Sequence, residues 1–426
     1  MHYKIILLAG GSGKRLWPLS TKNCPKQFLQ FGDRPSFYQQ TLTRSLHICD
    51  PSEILVVTNV NYEKLARQQA KIVGVDLNDQ IIAETDCRNT APAIALTLVH
   101  AVEKEKWAKD TVLFLFPSDH HIEPEEALKS HINDAVELAQ RGYLVTFGIK
   151  PTRPEVGYGY LHVKDPLTHI DGYELETFVE KPDKKKAEAF LKTGEYFWNA
   201  GIFAFTIETM WQAFKDFQPE IFEWMEKGYD EMYKNFAKIK DISIDYAIFE
   251  RAKKIAMIPL NAQWIDIGSW DSVYEWLDKD ERGNVIIGNA IEINAQNSFI
   301  YTTKNIVGSI DLDNHIFIST DTQTLIIKRG SSCKMRDLQA LAAKLEGKLR
   351  KEGIVTFEIN EGEELLLNEI NHPAHLFVKE GELQVTTVTG TTTLKALQSD
   401  NLKGIFTLKN RTKKPAIIYL IGHEES

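Results

Sequence analysis

Hydrophobic and polar positions divide this chain into stretches of different rhythm. Over roughly the first 280 residues, short apolar runs alternate with longer mixed segments. The runs at 5–9, 54–58, 112–116, 144–147 and 255–260 carry almost nothing polar, which predicts strands buried on both faces. Between them lie mixed segments at 62–71, 91–106, 127–140 and 207–238 with helical patterning. Strand and helix in alternation imply an α/β domain with a mainly parallel mixed sheet, whose ligands bind at the carboxyl ends of the strands. From 284 to 328 Val, Ile, Thr and Asn dominate, so short strands are expected, in the manner of one or two turns of a β-solenoid. Leu338, Leu341, Leu345 and Leu349 mark one face of a helix. Strands return at 354–359, 375–378, 383–388 and 416–421 as a small all-β unit. The expected boundaries are 1–280, 281–350 and 351–426.

The first apolar run passes through Leu8 and Ala9 into Gly10, Gly11, Ser12 and Gly13, then Lys14 and Arg15. Small residues let a ligand approach the backbone closely, and successive N–H groups form a nest for an anion. Read as structure alone, the glycines serve a tight turn. Arg15 and Lys26 move the reading toward phosphate, one as a forked charge and the other as a point charge. Two common nucleotide motifs fail here. Leu16 stands where G-x-G-x-x-G needs its third glycine, and Arg15 stands where a P-loop needs Ser or Thr. The runs Arg15-Leu16-Trp17-Pro18 and Pro25-Lys26-Gln27-Phe28-Leu29 resemble instead the opening of the sugar-1-phosphate nucleotidyltransferases, in the form carried by their mannose-1-phosphate guanylyltransferase branch. Matches continue to Trp270, so the resemblance spans the first domain and implies a Rossmann-like nucleotidyltransferase fold.

Composition narrows the partners. The net charge of −9 provides no global basic field for nucleic acid or an anionic membrane, so anionic substrates need local Arg and Lys. Cys24, Cys49, Cys87 and Cys333 are scattered with no C-x-x-C pair, which suits a reducing compartment and argues against structural zinc. The apolar start is too short for a signal-peptide core and no stretch is long enough to span a bilayer, so a cytoplasmic location is expected.

Candidate chemistry sits at the predicted strand ends. Ser118 and Asp119 follow the run at 112–116, and Asp266 lies in Trp264-Ile265-Asp266-Ile267-Gly268-Ser269-Trp270. Apart, either aspartate reads as a turn or cap residue; together they supply the hard oxygen ligands that Mg²⁺ requires. The resemblance implies that the pair holds the catalytic metal. Adjacent His120 and His121 point in different directions on an extended segment and read as structural. The resemblance further gives Glu180 the sugar hydroxyls and Lys181 the sugar phosphate. Asn199 suits a sugar hydroxyl because its amide both donates and accepts. The loop Gly157-Tyr158-Gly159 is of the kind that closes over a sugar, although Val156 replaces the threonine frequent in the family. Asn89, Thr90 and Ala91 fall where the family places guanine and ribose. Asp245 divides evenly between a substrate role and the start of a helix capped by Ser243.

The reaction implied is GTP plus α-D-mannose 1-phosphate giving GDP-mannose and pyrophosphate, with Arg15, Lys26 and Lys181 as catalytic cations. Alternatives are a relative using UTP, ATP or dTTP with glucose 1-phosphate, a non-catalytic nucleotide-sugar-sensing subunit, and a bifunctional enzyme with phosphomannose isomerase activity. The last arises because the stretch 375–383 resembles a cupin strand pair. His372 and His375 stand there without a His-x-His, so a degenerate cupin-like domain for packing or homo-oligomer contacts is expected.

Overall fold

The computed structural model describes residues 3–11, 13–342, 354–387, 390–396 and 398–422. The chain forms two compact units, 1–333 and 334–426. Strands in the first unit run in chain order as β1 (Tyr3–Leu8), β2 (Ile54–Asn59), β3 (Ile81–Glu84), β4 (Val112–Pro117), β5 (His120–Glu123) and β6 (Leu144–Ile149). They continue as β7 (Tyr160–Pro166), β8 (Tyr173–Val179), β9 (Tyr196–Thr206), β10 (Ile255–Pro259) and β11 (Gln263–Asp266). Nine of them form one sheet in the order β3-β2-β1-β4-β9-β6-β10-β8-β7.

β1 pairs in parallel with β2 on one side and β4 on the other, so the sheet order reverses across its carboxyl end. A crevice opens at such a switch point, and the glycine loop begins there. Alternate residues of β1 feed two cores: Ile5 and Leu7 face one cluster, Ile6 the other. The helix Thr90–Glu103 buries ten residues, Ala91 through Thr97 and beyond, because it is apolar almost all round.

Sheet polarity is more mixed than the run pattern implied. β9 inserts between β4 and β6 and pairs antiparallel with both. β7 and β8 add a further antiparallel edge. The stretch 207–238 is three α-helices, Ile207–Phe217, Pro219–Glu226 and Tyr229–Lys234, followed by a 3-10 turn at Phe236–Lys238, rather than one helix. Pro219 can only start a helix, and Gly228 turns the chain at φ +84°.

β12 (Val285–Ile287), β13 (Ala290–Ile293), β14 (Phe299–Thr302), β15 (Val307–Ile310) and β16 (His315–Ser319) coil as a short solenoid closed by antiparallel β17 (Thr324–Lys328). Its rungs are parallel, β12-β14-β16 and β13-β15. The corners need left-handed backbone, which Asn294, Asn297, Asp311 and Asn314 supply at φ of +48° to +59°. This solenoid belongs to the same compact unit as the large sheet. Phe299 and Tyr301 meet Trp270 and Phe31 at ring distances of 5.9 and 6.0 Å. Of the helix marked by Leu338 to Leu349, residues 343–350 lie outside the described residues.

The second unit is all-β. β18 (Ile354–Ile359), β19 (Glu364–Glu380), β20 (Glu382–Thr387), β21 (Gly390–Lys395), β22 (Ser399–Lys409) and β23 (Ala416–Gly422) form one sheet in the order β18-β23-β19-β22-β20-β21. Leu376, Val378, Leu383, Val385 and Leu408 are its core. The side chains of His372 and His375 lie outside the described residues.

Candidate active site

The glycine loop is braced from beneath. Gln27 donates through Nε2 to the carbonyls of Ala9 at 2.7 Å and Gly10 at 3.1 Å, and Thr58 Oγ1 donates to Ala9 O at 2.9 Å. Ser118 Oγ donates to Leu8 O at 2.7 Å, tying β4's exit to β1's. Gly13, at φ +49°, allows the close approach of the Pro25-Lys26-Gln27 segment. A Cβ there would stand 2.5 Å from Lys26 Cβ and 2.6 Å from Lys26 N. Ser12 lies outside the described residues.

The two aspartates, distant in sequence, come together on a ribbon. β5 pairs antiparallel with β11, and Asp266 falls opposite His120, next to Asp119. Buried Lys26 sits between the carboxylates, with Nζ 2.8 Å from Asp119 and 3.4 Å from Asp266. Burial alone would push the Asp119 carboxyl up; the Lys26 ammonium, aided by His120 and Arg15, outweighs it and holds the group at about 2. Arg15 reaches the same region: its Nη1 is 3.5 Å from where a Cβ on Gly268 would stand.

His120 belongs to this cluster, not only to the framework. Its Nδ1 is 3.1 Å from Ala200 O, and its Nε2 lies 3.6 Å from Asp119 and 3.8 Å from Asp266. His121 turns the other way, onto Gln40 Oε1 at 3.1 Å. Only the ribbon's register separates their roles, and the order of residues carries no sign of it.

Across the crevice, Asn199 is fixed by both ends of its amide. Oδ1 accepts from Thr146 Oγ1 at 2.9 Å and from Gly201 N at 3.0 Å, while Nδ2 donates to Asp245 Oδ1 at 3.3 Å. Glu180 and Lys181 pair at 2.5 Å, with Lys181 in left-handed backbone at φ +46°. Glu180 lies close over Gly159: a Cβ there would stand 2.6 Å from Glu180 Oε2, so the carboxylate would have to shift to make room. Asp245 opens a π-helical turn, Asp245–Phe249. Burial, with the neighbouring Glu180 charge, pushes its carboxyl up to about 7.

A cavity of about 510 Å³ joins the halves, lined by Leu8, Gly10, Gly11, Asn89, Thr90, Asp119 and Asp245 among others. Seven predicted site residues therefore share one space. Ala91 does not reach it; it is buried, with its N–H donating to Ile242 O at 3.1 Å. Tyr158 packs edge-on against Trp198 and Trp264, at 5.3 and 4.8 Å, and lines a separate cavity of about 590 Å³. Gly157, next to it, is exposed. The tight aromatic wording around Trp17 also has a cause: Trp270 Nε1 donates to Trp17 O at 2.8 Å, clamping the end of the loop.

A glycine loop at a switch point, close to two carboxylates bridged by a buried lysine, gathers polar groups suited to a phosphate-bearing ligand. Residues 4–283 match the nucleotidyl transferase family, and the chain belongs to it. A mannose-1-phosphate guanylyltransferase of Klebsiella pneumoniae is 36% identical over 341 residues, covering 77% of this chain and 71% of that protein. Among solved structures, one named mannose-1-phosphate geranyltransferase, from Thermus thermophilus, aligns with a TM-score of 0.72 at 28% identity, over 81% of this chain and all of that one. A structure named mannose-6-phosphate isomerase, from Helicobacter pylori, aligns with a TM-score of 0.51 at 30% identity, over 62% of this chain and all of that one.

Proposed function

We propose that this chain transfers GMP from GTP to α-D-mannose 1-phosphate, giving GDP-mannose and pyrophosphate. The observation that carries the reading is the convergence of Asp119, Asp266 and Lys26 beside the glycine loop. Relatives named for the same activity over most of the chain supply the substrates.

A sugar phosphate has its second pKa at about 6, so at neutral pH it is largely a dianion and already a nucleophile. No general base is required. One phosphate oxygen attacks the α-phosphorus of GTP, the bond to the β-phosphate oxygen breaks, and pyrophosphate leaves with the electron pair. The task left to the protein is to align two anions and offset their repulsion. Asp119 and Asp266 fit Mg²⁺, which takes one or two carboxylates plus phosphate oxygens and water. When bound there, the ion supplies positive charge against the phosphates. Lys26 and Arg15 face the departing pyrophosphate, Lys181 steers the attacking phosphate, and Glu180, Asn199 and Asp245 orient the mannose. A cytoplasmic site of action belongs to this reading, because scattered cysteines without a C-x-x-C pair suit a reducing compartment; among the described residues no helix is long and apolar enough to cross a membrane.

The test is pyrophosphate release with mannose 1-phosphate and Mg²⁺, offering GTP, ATP, UTP and dTTP in turn. Release with GTP alone supports the reading; release with another nucleotide removes the guanine assignment. The isomerase-named structural relative motivates one added assay, conversion of fructose 6-phosphate. Activity there would overturn the degenerate reading of the second unit.

A further inference from the structure

The ribbon that carries Asp119 and Asp266 stands apart from the large sheet. Among the described residues β5 and β11 pair only with each other, so no ladder bond joins them to the other nine strands. Ile122 anchors the ribbon in the core, but apolar packing has no direction. Direction comes from the two histidines, one on each face. His120 reaches Ala200 O on β9, and His121 reaches Gln40 Oε1 on the helix Phe37–Leu46.

That helix is built into the same frame as Lys26. Ser36 and Gln39 close a capping box on its first turn, and both bond Gln69. Ser36 Oγ donates to Gln69 Oε1 at 2.6 Å, and Gln39 Nε2 donates to Gln69 O at 3.1 Å. Gln69 Nε2 then donates to Phe28 O at 2.9 Å, in the turn Lys26–Phe28. Gln40 leads from this buried frame to the ribbon. Its Nε2 donates to Pro35 O at 2.9 Å. A backbone carbonyl only accepts, so the amide is oriented, Oε1 faces the imidazole, and Nδ1 of His121 carries the hydrogen. The His121 ring also meets Trp276 at 5.7 Å, and Trp276 packs on Phe37 of the same helix at 4.9 Å. A buried network with every member satisfied specifies one arrangement.

We propose that Gln40 is a positioning residue for the transfer reaction: through His121 it fixes how far the Asp119–Asp266 ribbon stands from Lys26. The inference rests on the reading of the two aspartates as a divalent-cation site. Mg²⁺ demands near-ideal octahedral geometry, so a ribbon that has lost its tie should lose the ion first.

Gln40→Met keeps the length of the side chain and loses the bond to His121. Mn²⁺ binding is read by electron paramagnetic resonance with a non-hydrolysable GTP analogue present, beside steady-state kinetics with Mg²⁺. The Kd for Mn²⁺ and the KM for Mg²⁺ should each rise roughly 10- to 100-fold, as when a partner that orients metal ligands is removed. KM for GTP at saturating Mg²⁺ should stay within about threefold, since the glycine loop is untouched. His121→Phe keeps a ring against Trp276 and loses the same bond, so it should give the same shift, and the double variant should add nothing further. A Gln40→Met protein that melts lower yet binds Mn²⁺ as the wild type does overturns the proposal, and so do single shifts that multiply in the double variant. The underlying metal reading fails differently: the wild type would then take up no Mn²⁺ with the analogue, or Asp266→Asn would take it up unchanged. Should Gln40→Met fold poorly, His121→Phe decides alone, and wild-type Mn²⁺ affinity there overturns the proposal.

Discussion

Asp119 and Asp266 are separated by 147 positions, yet one lysine touches both (266 − 119 = 147). Their roles follow from that geometry. Asp266→Asn keeps shape and loses the charge, so turnover should fall by at least about a hundredfold while circular dichroism and melting stay near wild type. Full activity in that variant would remove the metal assignment. Gly13 makes the opposite kind of prediction, one of space. Alanine there has no room beside the Lys26 backbone and is strained at φ +49°. Gly13→Ala should therefore raise KM for GTP about tenfold or more, with the loop displaced, whereas Gly11→Ala meets nothing within 4 Å and suffers backbone strain only. Comparing the two KM values separates clash from strain. Of this, the residues themselves display only the types, and the meeting of the two aspartates is implied by the family resemblance alone. Cations and glycines beside a strand end can be read from order alone. The pairing of Asp119 with Asp266 is legible only through the family resemblance, and the divergence of His120 from His121 depends on a register that only the fold defines.

Elements were legible where one pattern decided them. β1, β2, β4, β6 and β10 are dominated by apolar residues, with few polar interruptions such as Lys4, Thr58 and Thr146, because strands covered on both faces leave little room for polar positions. β9 escaped notice because Asn199 and Gly201 break its apolar run. β7 and β8 carry exposed polar residues along much of their length, which blurs their signal. The helix Trp270–Trp276 shows how a motif can be structural and functional together. Ser269 caps it, accepting from Ser272 N at 3.1 Å, while Trp270 reaches back to Trp17. Trp270→Phe keeps most of the packing and loses that bond, so it should cost about 1 kcal/mol in urea unfolding; Trp270→Ala should cost about 3–5 kcal/mol. Equal losses would mean that the indole N–H contributes nothing.

At the scale of the whole molecule, protonation divides along the same lines as the site. Burial raises the carboxyls of Glu84 and Asp245 to about 8 and 7, so between pH 4 and 8 the folded protein holds protons that the unfolded chain has released. Their contribution is fully present below the unfolded carboxyl range and is lost as pH rises through those values. Asp119 runs the other way, contributing above that range and losing it as pH falls through about 2. Urea melts without substrate should then show wild type losing about 1–2 kcal/mol relative to E84Q between pH 6 and 8. A difference that stays flat with pH would mean Glu84 ionises normally. Every candidate site residue lies between positions 8 and 266, inside the first unit.

Lys26 has one more consequence, for the order in which the reaction's components assemble. With its ammonium seated between Asp119 and Asp266, the chain carries its own counter-ion at the place proposed for a divalent cation. A free cation has to evict a tethered one, whereas a cation arriving on a triphosphate brings the negative charge that draws the lysine aside. Metal and nucleotide should enter as a single passenger. Manganese titrations followed by electron paramagnetic resonance should show weak uptake by the protein alone and strong uptake once a non-hydrolysable GTP analogue is present. In Lys26→Met that gap should close from the weak side, since the vacated place is then open to any divalent ion, and catalysis would be lost in the exchange.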